Sequence, residues 1–179
     1  MDFLSLSSKR RSIRNYLEKP VEPEKVEVLV EAALLAPTSR GSSSWRFIVV
    51  EDRATLEKLS KAREMGSAQL KRAALAIVVC TNPEESSVWV EDASIAGANI
   101  LLAAVSLGLG ACWIQVRERM HGQGKTTEAY ISELLGIPKE IRVVEVISIG
   151  YPTETKPPHS KEKLQFEKVY RGGYGKPYR

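Results

Sequence analysis

Residues 92–114, DASIAGANILLAAVSLGLGACWI, decide the fold of this 179-residue chain. After the first aspartate, 22 residues pass without a charge, which is long enough to prompt comparison with a membrane span. An asparagine, two serines and three glycines interrupt the stretch, and acidic rather than basic residues stand at its start, so we expect no membrane segment. The pattern instead predicts a buried helix to about Leu107, a turn at Gly108-Leu-Gly110 and a buried strand over 111–116.

Three other apolar runs have the length of strands: WRFIVV (45–50), LAIVVCT (75–81) and RVVEVISIG (142–150). Apolar residues at helical spacing follow Pro23 and end near Pro37. Further helices are predicted after Asp52, which can cap one, and over 126–135. Helices precede the first strand, so strict strand-helix alternation is absent. We therefore predict an α+β domain of three layers, with a mixed, largely antiparallel sheet between helices.

The central helix also predicts an assembly. A helix that is apolar on nearly every face must be covered on all sides, and a chain this short has few elements to cover it. We therefore expect a homodimer that buries this helix. The length suits one domain over 1–179, with 156–179 as a C-terminal arm that carries a short charged helix near Lys161–Tyr170.

Composition places the chain among ordinary globular proteins. It is 43% hydrophobic and 27% charged, which excludes collagen-like and wholly disordered classes. The two cysteines, Cys80 and Cys112, lie inside apolar runs, so we expect buried thiols rather than a disulfide, and a reducing compartment. The N-terminus lacks the apolar core of a signal peptide. We expect a cytoplasmic protein.

The charge is distributed unevenly along the chain. Residues 1–20 carry a net +3 and residues 156–179 a net +5, whereas the segment between them carries −4. Two basic ends around an acidic body suggest an anion bound where the ends meet. Two solvated tails, or an arm for nucleic acid, are the alternatives at this point.

Several familiar motifs are absent or incomplete. The histidines and cysteines do not have zinc-ligand spacing, and no catalytic triad signature is present, so we expect no metal and no protein nucleophile. The Gly122-Gln-Gly-Lys-Thr126 sequence follows a strand and precedes a helix, as a phosphate-binding P-loop does, but its required first glycine is Arg119. A nucleotide hydrolase is therefore disfavoured.

The informative segments are Arg10-Arg11-Ser12-Ile13-Arg14 and the polar loop Pro37-Thr-Ser-Arg-Gly-Ser-Ser-Ser-Trp45. Arginine binds phosphate through two donors, and a hydroxyl between arginines adds a short neutral donor. The pentapeptide therefore suits a phosphoester that carries a ring system, and the small residues of the loop would let a planar ring approach the backbone. A solvated charge run is the alternative.

These segments carry a resemblance that extends over the whole chain. The R-R-S-x-R start, the A-P-T-S-x-G-S-x-S-W loop, the long D-A-x-x-A stretch ending in C-W-I, L-L-G-I-P and I-G-Y-P occur in the order seen in the nitroreductase-like family of FMN enzymes. The resemblance implies a nitroreductase-like α+β homodimer. It places FMN in the dimer interface and buries the long helix between the subunits.

The resemblance also implies the residues that bind FMN. It assigns Arg10 and Ser12 to the phosphate and ribityl chain, with Arg11 beside them. It assigns Arg14 to the N1/O2 edge of the flavin, where a cation stabilises the negative charge that develops on reduction. Lys156, and less directly His159, match the basic pair that the family places on the phosphate.

Two further segments match the family at the flavin ring. Pro37, Thr38 and Ser39 correspond to a loop that passes the ring edge from the partner subunit. That loop usually reads A-P-S-x-x-N-x-Q-P-W, whereas Gly41 and Ser43 replace the Asn and Gln here. Side-chain contacts from this loop are therefore altered, and with them the substrate profile. The strand end that contains Trp113 and Ile114 resembles the stretch that lies along the ring.

The implied activity is that of an FMN-dependent NAD(P)H oxidoreductase of nitroreductase type, in which hydride passes through flavin N5 to a nitroaromatic, quinone or similar small-molecule acceptor. The cofactor carries this chemistry, so the resemblance implies no catalytic acid or base in the protein. A specialised family activity, flavin fragmentation or reductive dehalogenation, is one alternative. A basic polyanion-binding module is an alternative from another class of protein. We expect neither a nucleic-acid partner nor a membrane partner.

Overall fold

The structure is a computed structural model that describes residues 2–122 and 124–179. The helices in this part of the chain are α1 (Phe3–Lys9), α2 (Pro23–Leu34), α3 (Arg53–Leu59), α4 (Trp89–Ser106) and α5 (Thr127–Leu135). The strands are β1 (Trp45–Val50), β2 (Leu75–Thr81), β3 (Gly110–Gln115), β4 (Met120–Gly122), β5 (Lys125–Thr126) and β6 (Arg142–Gly150).

Four strands form the main sheet in the order β1-β2-β6-β3, and each neighbouring pair is antiparallel. β6 lies between β2 and β3, and every one of its residues after Arg142 is buried. At the outer edge of β3, Ser12 forms a single parallel bridge with Ala111. β4 and β5 form a separate small hairpin.

Each face of the main sheet is covered by helices, as the alternation of side chains along a strand requires. On one face, Ile77 and Ile147 pack in the core with Leu29 of α2 and Ile100 of α4. On the other face the core is built from strand residues together with α3 and α5, among them Leu56, Leu59, Val78, Ile131 and Val146. The predicted three-layer α+β architecture is confirmed.

The strands over 45–50, 75–81 and 142–150 are confirmed at their predicted limits. α4 begins at Trp89, which places two acidic residues in its first turn, where the helix dipole favours negative charge. The predicted helix near Lys161–Tyr170 is wrong. That stretch holds only two short 3-10 turns, and its residues are almost all exposed, so no buried face stabilises a longer helix.

α4 is not fully covered within one chain. Ala93, Ala96 and Ile100 are buried, whereas Ile95 is 40% exposed and Ala98 is exposed. The helix therefore presents an apolar strip to the outside of the subunit. In the described part of the chain, no helix combines the length and the apolar character needed to cross a membrane.

Candidate functional site

The two basic ends of the chain meet beside β3. The Arg11 guanidinium donates to the carbonyl oxygen of Pro157, and Lys156 Nζ donates to the carbonyl oxygen of Ser12 at 2.6 Å. The backbone N–H of His159 donates to the carbonyl of Ser8 at 2.8 Å, while the imidazole is exposed. The structure thus brings together the N-terminal run and the 154–159 segment, which lie about 140 residues apart in sequence.

The N-terminal run is fixed against the start of β3. Ile13 N–H donates to the carbonyl of Ala111 at 3.0 Å, and a side chain at Gly110 would come within 2.7 Å of Ile13 Cγ2. Only glycine at position 110 lets the run lie this close. Tyr16, buried to 3% exposure, donates from its hydroxyl to the carbonyl of Ile13 at 2.6 Å, so a core residue holds the far end of the run.

The arginines of this region remain available to an anion. Arg14 uses its backbone N–H on Glu154 Oε1 at 2.7 Å, and this hydrogen bond is the main reason that the pKa of Glu154 is lowered. Within residues 2–122 and 124–179, none of the three arginines of the run is paired with a carboxylate. Lys156, in contrast, forms an ion pair, with its Nζ 3.5 Å from Glu154 Oε2. We call Arg10, Arg11, Arg14 and Lys156 the basic cluster.

β3 offers backbone groups next to the basic cluster. The carbonyl of Ala111 points away from β6, toward Ile13. Alternate residues of a strand direct their backbone groups to the same side, so Trp113 and Gln115 also direct theirs outward. Beyond the bridge at Ser12, this edge carries the donors and acceptors that a flat heterocycle with ring nitrogens and carbonyls requires.

The two predicted ring neighbours lie on opposite faces of the sheet. Trp113 is 42% exposed, and its indole N–H donates to Glu145 Oε2. Ile114 is buried in the core between the sheet, α3 and α5. A ring at the β3 edge could therefore contact the indole of Trp113, whereas the side chain of Ile114 lies in the core and its backbone groups point toward β6.

Glu145 was not among the predicted site residues. It is fully buried, and its Oε1 has no hydrogen-bond partner within the described residues. This oxygen faces α4 at Gly97, where any side chain would collide with it. Burial raises the pKa of Glu145 to about 7, against the smaller opposite effect of the Trp113 hydrogen bond. A lone carboxylate in the apolar run RVVEVISIG was the signal for it in the sequence.

The polar loop of residues 37–44 is anchored at the N-terminal end of α4. Asp92 Oδ1 accepts from the backbone N–H of Ser39 at 2.9 Å, and its Oδ2 accepts from the Ser86 hydroxyl at 2.7 Å. Thr38 Oγ1 accepts from the N–H of Ser43 at 3.1 Å. Pro37 and Ser39 are exposed and Thr38 is half-buried.

This loop and the basic cluster do not meet within one chain. α4 has 18 residues, so it is about 27 Å long. The loop lies at its first turns, whereas Ile13 contacts Gly110, just beyond its C-terminal end. Pro37, Thr38 and Ser39 can join the basic cluster in one site only if they come from a second subunit.

Other candidate chemistries find little support. Lys125 donates to the carboxylate of Glu133 rather than standing open for a phosphate, and Gln123 of the same motif lies outside the described residues. Burial raises the pKa of Cys80 to about 12, so it remains a protonated thiol. Over residues 2–122 and 124–179, no group of three acidic, histidine or cysteine side chains could hold a metal ion.

The chain matches the model of the nitroreductase family over residues 8–84 and 63–151. It is similar to the solved structure of an FMN-dependent nitroreductase from Clostridium difficile R20291, with 44% identity and a TM-score of 0.94, covering 96% of this chain and 100% of that one. A protein of Archaeoglobus fulgidus, provisionally named NADH dehydrogenase/NAD(P)H nitroreductase, is 44% identical over 154 residues, covering 82% of this chain and 83% of its own. The FMN reductase [NAD(P)H] of Bacillus subtilis is 26% identical over 184 residues, covering 89% and 71%.

Proposed function

The chain belongs to the nitroreductase family, and from that premise we propose that it is an FMN-dependent oxidoreductase that takes electrons from NAD(P)H. When bound, FMN supplies hydride-transfer chemistry between NAD(P)H and a nitroaromatic, quinone or similar acceptor. The observation that carries the proposal is the basic cluster, which brings four cations from both ends of the chain to the open edge of β3.

The donor set fits a flavin phosphate. Arg10, Arg11 and Lys156 supply charge, and Ser12 supplies a hydroxyl between them. Guanidinium groups bind phosphate oxygens through two parallel hydrogen bonds. A backbone hydrogen bond to Ser8 holds His159 beside the N-terminal run, and its side chain is exposed. We assign this side chain to the same phosphate.

The ring side of the site has a different character. We assign Arg14 to the N1/O2 edge of the flavin, where its fixed positive charge stabilises negative charge on the reduced ring. Trp113 borders the ring through its exposed indole, and Ile114 is assigned to the same part of the site only as its neighbour in β3. No side chain is needed as a proton donor for hydride transfer.

We further propose that the enzyme is a homodimer. The exposed apolar strip of α4 supports this, as does the separation of the 37–44 loop from the basic cluster. In the dimer, Pro37, Thr38 and Ser39 of one subunit complete the site of the other. We also propose that residues 1–179 form one domain with 156–179 as its arm. The cytoplasmic location stays a prediction.

Flavin titration of cluster variants tests the proposed site. Lys156→Ala removes one phosphate ligand, so we expect about tenfold weaker FMN binding, measured by quenching of flavin fluorescence. Lys139→Ala is the matched control, because Lys139 is an exposed lysine between α5 and β6. Equal affinities for both variants and the wild type would remove Lys156 from the site.

A further inference from the structure

Two guanidinium groups converge on Gln115, at the end of β3. Arg119 Nη2 donates to Gln115 Oε1 at 2.7 Å, and Arg63 Nη1 donates to the carbonyl oxygen of Gln115 at 3.3 Å. Arg63 comes from the segment after α3, whereas Arg119 comes from the turn between β3 and β4. We call Arg63 and Arg119 the arginine pair.

The arginine pair carries two positive charges without an acidic partner in the part of the chain that the structure describes. Arg63 is half-buried, and both its burial and the nearby charge of Arg119 lower its pKa. Holding like charges together costs free energy, and an anion between them would offset that cost. Gln115 orients both groups but is neutral, so it leaves their charge unbalanced.

The arginine pair is held in place from its other side as well. Gly66 has a φ angle of +97°, and a Cβ atom at this position would lie 3.3 Å from Arg63 Nη1. The backbone N–H of Arg63 donates to Ser67 Oγ at 3.1 Å. A glycine with a left-handed conformation therefore lets the Arg63 guanidinium pack directly against this turn.

The position of the arginine pair relates it to the basic cluster. Both lie along β3: the basic cluster at Ala111, the arginine pair at Gln115, and the exposed indole of Trp113 between them. Four residues of a strand span about 13 Å. A flavin with its phosphate at the basic cluster and its ring along Trp113 would therefore end close to the arginine pair.

We propose that the arginine pair binds an anionic oxygen group, a carboxylate or a phosphate, of the molecule that exchanges electrons with FMN. This inference rests on the proposed function. The pair gives the enzyme a preference for anionic over neutral substrates of the same shape. Two molecules could supply the group: an acceptor that carries a carboxylate, or NAD(P)H through its phosphates.

Paired substrates distinguish the two sources. The acceptor arm compares para-nitrobenzoate with para-nitrobenzyl alcohol, and the donor arm compares NADH with reduced nicotinamide riboside, which lacks phosphate. Arg119→Gln and Arg63→Gln are measured beside Lys139→Gln. Because a charged hydrogen bond contributes about 1.5–3 kcal/mol, we expect KM for the anionic member of one pair to rise about tenfold or more, with the neutral member unchanged.

A rise confined to nitrobenzoate identifies the acceptor as the source, and a rise confined to NADH identifies the donor. Equal effects on charged and neutral members, or no effect in either arm, would overturn the proposal. Arg119 is exposed, so Arg119→Gln remains informative even if Arg63→Gln fails to fold. Arg63→Lys, which keeps the positive charge, should retain part of the preference for anionic substrates that Arg63→Gln loses.

A binding measurement separates this inference from the proposed function. Isothermal titration of the purified protein with benzoate and with benzyl alcohol needs no turnover. We expect benzoate to bind more tightly, and Arg119→Gln to abolish the difference. If the protein binds benzoate in this way but contains no flavin and takes up none, the proposed function fails while the anion site stands. If it binds FMN but does not distinguish the two ligands, only the anion site fails.

Discussion

Asp92 and Glu145 are two buried carboxylates in different surroundings. Asp92 belongs to the first turn of α4, whereas Glu145 lies in β6 and faces α4 at Gly97. Asp92 is 3% exposed and accepts from the Ser39 backbone, the Ser86 hydroxyl and, at 3.4 Å, the Ser42 hydroxyl. Glu145 is fully buried but, among the residues that the structure describes, accepts only from Trp113. The several donors make the Asp92 carboxylate a structural anchor, whereas burial with a single donor raises the pKa of Glu145.

The largest effect should come from removing the well-satisfied carboxylate. Asp92→Ala leaves the buried Ser86 hydroxyl without its acceptor, which costs about 1–3 kcal/mol, and removes the acceptor of the less buried Ser39 N–H and Ser42 hydroxyl, each contributing about 0.5–1.5 kcal/mol. We expect the free energy of unfolding to fall by about 3 kcal/mol, measured by urea denaturation. Glu91→Ala is the matched control, because Glu91 is exposed in the same helical turn. A loss below 1 kcal/mol would show that Asp92 does not anchor the loop.

The second prediction concerns the pH dependence that Glu145 imposes. Burial raises the pKa of Glu145 from its ordinary value of 4.5 to about 7 in the folded protein, so the folded state holds the proton more tightly than the unfolded chain. The contribution of Glu145 to the free energy of unfolding is therefore fully present below about pH 4.5 and is lost as the pH rises through about 7. Relative to Glu145→Gln, the wild type should lose about 2.5 kcal/mol between about pH 5 and 8.

Urea denaturation of both proteins at the two pH values checks this expectation. The Gln variant is nearly isosteric and cannot ionise, so the change in the difference between the proteins isolates the carboxylate. A difference that stays constant over this range would mean that Glu145 does not change its protonation there, and the contrast with Asp92 would fail.

The third prediction tests the packing of Glu145 against α4. Gly97→Ala introduces a methyl group where Glu145 Oε1 lies, and overpacking of this kind costs about 1–3 kcal/mol. Combining Gly97→Ala with Glu145→Ala should recover most of that cost, because the colliding atoms are gone. Thermal denaturation of the two single variants and the double variant measures the coupling. Additive losses would show that the two residues do not press on each other.

Much of the fold follows from local sequence patterns. The strands over 45–50, 75–81 and 142–150 are apolar runs of strand length. Burial on both faces explains the runs over 75–81 and 143–150, whereas the strand over 45–50 lies at the sheet edge and is mostly half-buried. The cap at Asp52 is equally local, since its carboxylate accepts from Thr55 N–H three residues later. The charged helix predicted near Lys161–Tyr170 does not form, because this segment buries no apolar face against the rest of the chain.

The site was predictable only in part. The arginines of the N-terminal run are contiguous in sequence, so their clustering is visible there. Glu145 and the arginine pair depend on contacts among segments far apart in sequence: Glu145 lies 48 residues from Gly97, and Arg63 lies 52 residues from Gln115. Pairing of this kind is set by strand register and helix placement, which no local pattern in this chain encodes.

The visible absorption spectrum of the purified protein shows whether this chain binds FMN and accepts electrons from NAD(P)H. We expect the bands of oxidised flavin, present on purification or after addition of FMN and removal of the excess, and their bleaching when NADH or NADPH is added without oxygen. A protein that remains colourless after incubation with FMN would contradict it, as would a flavin that neither nicotinamide reduces.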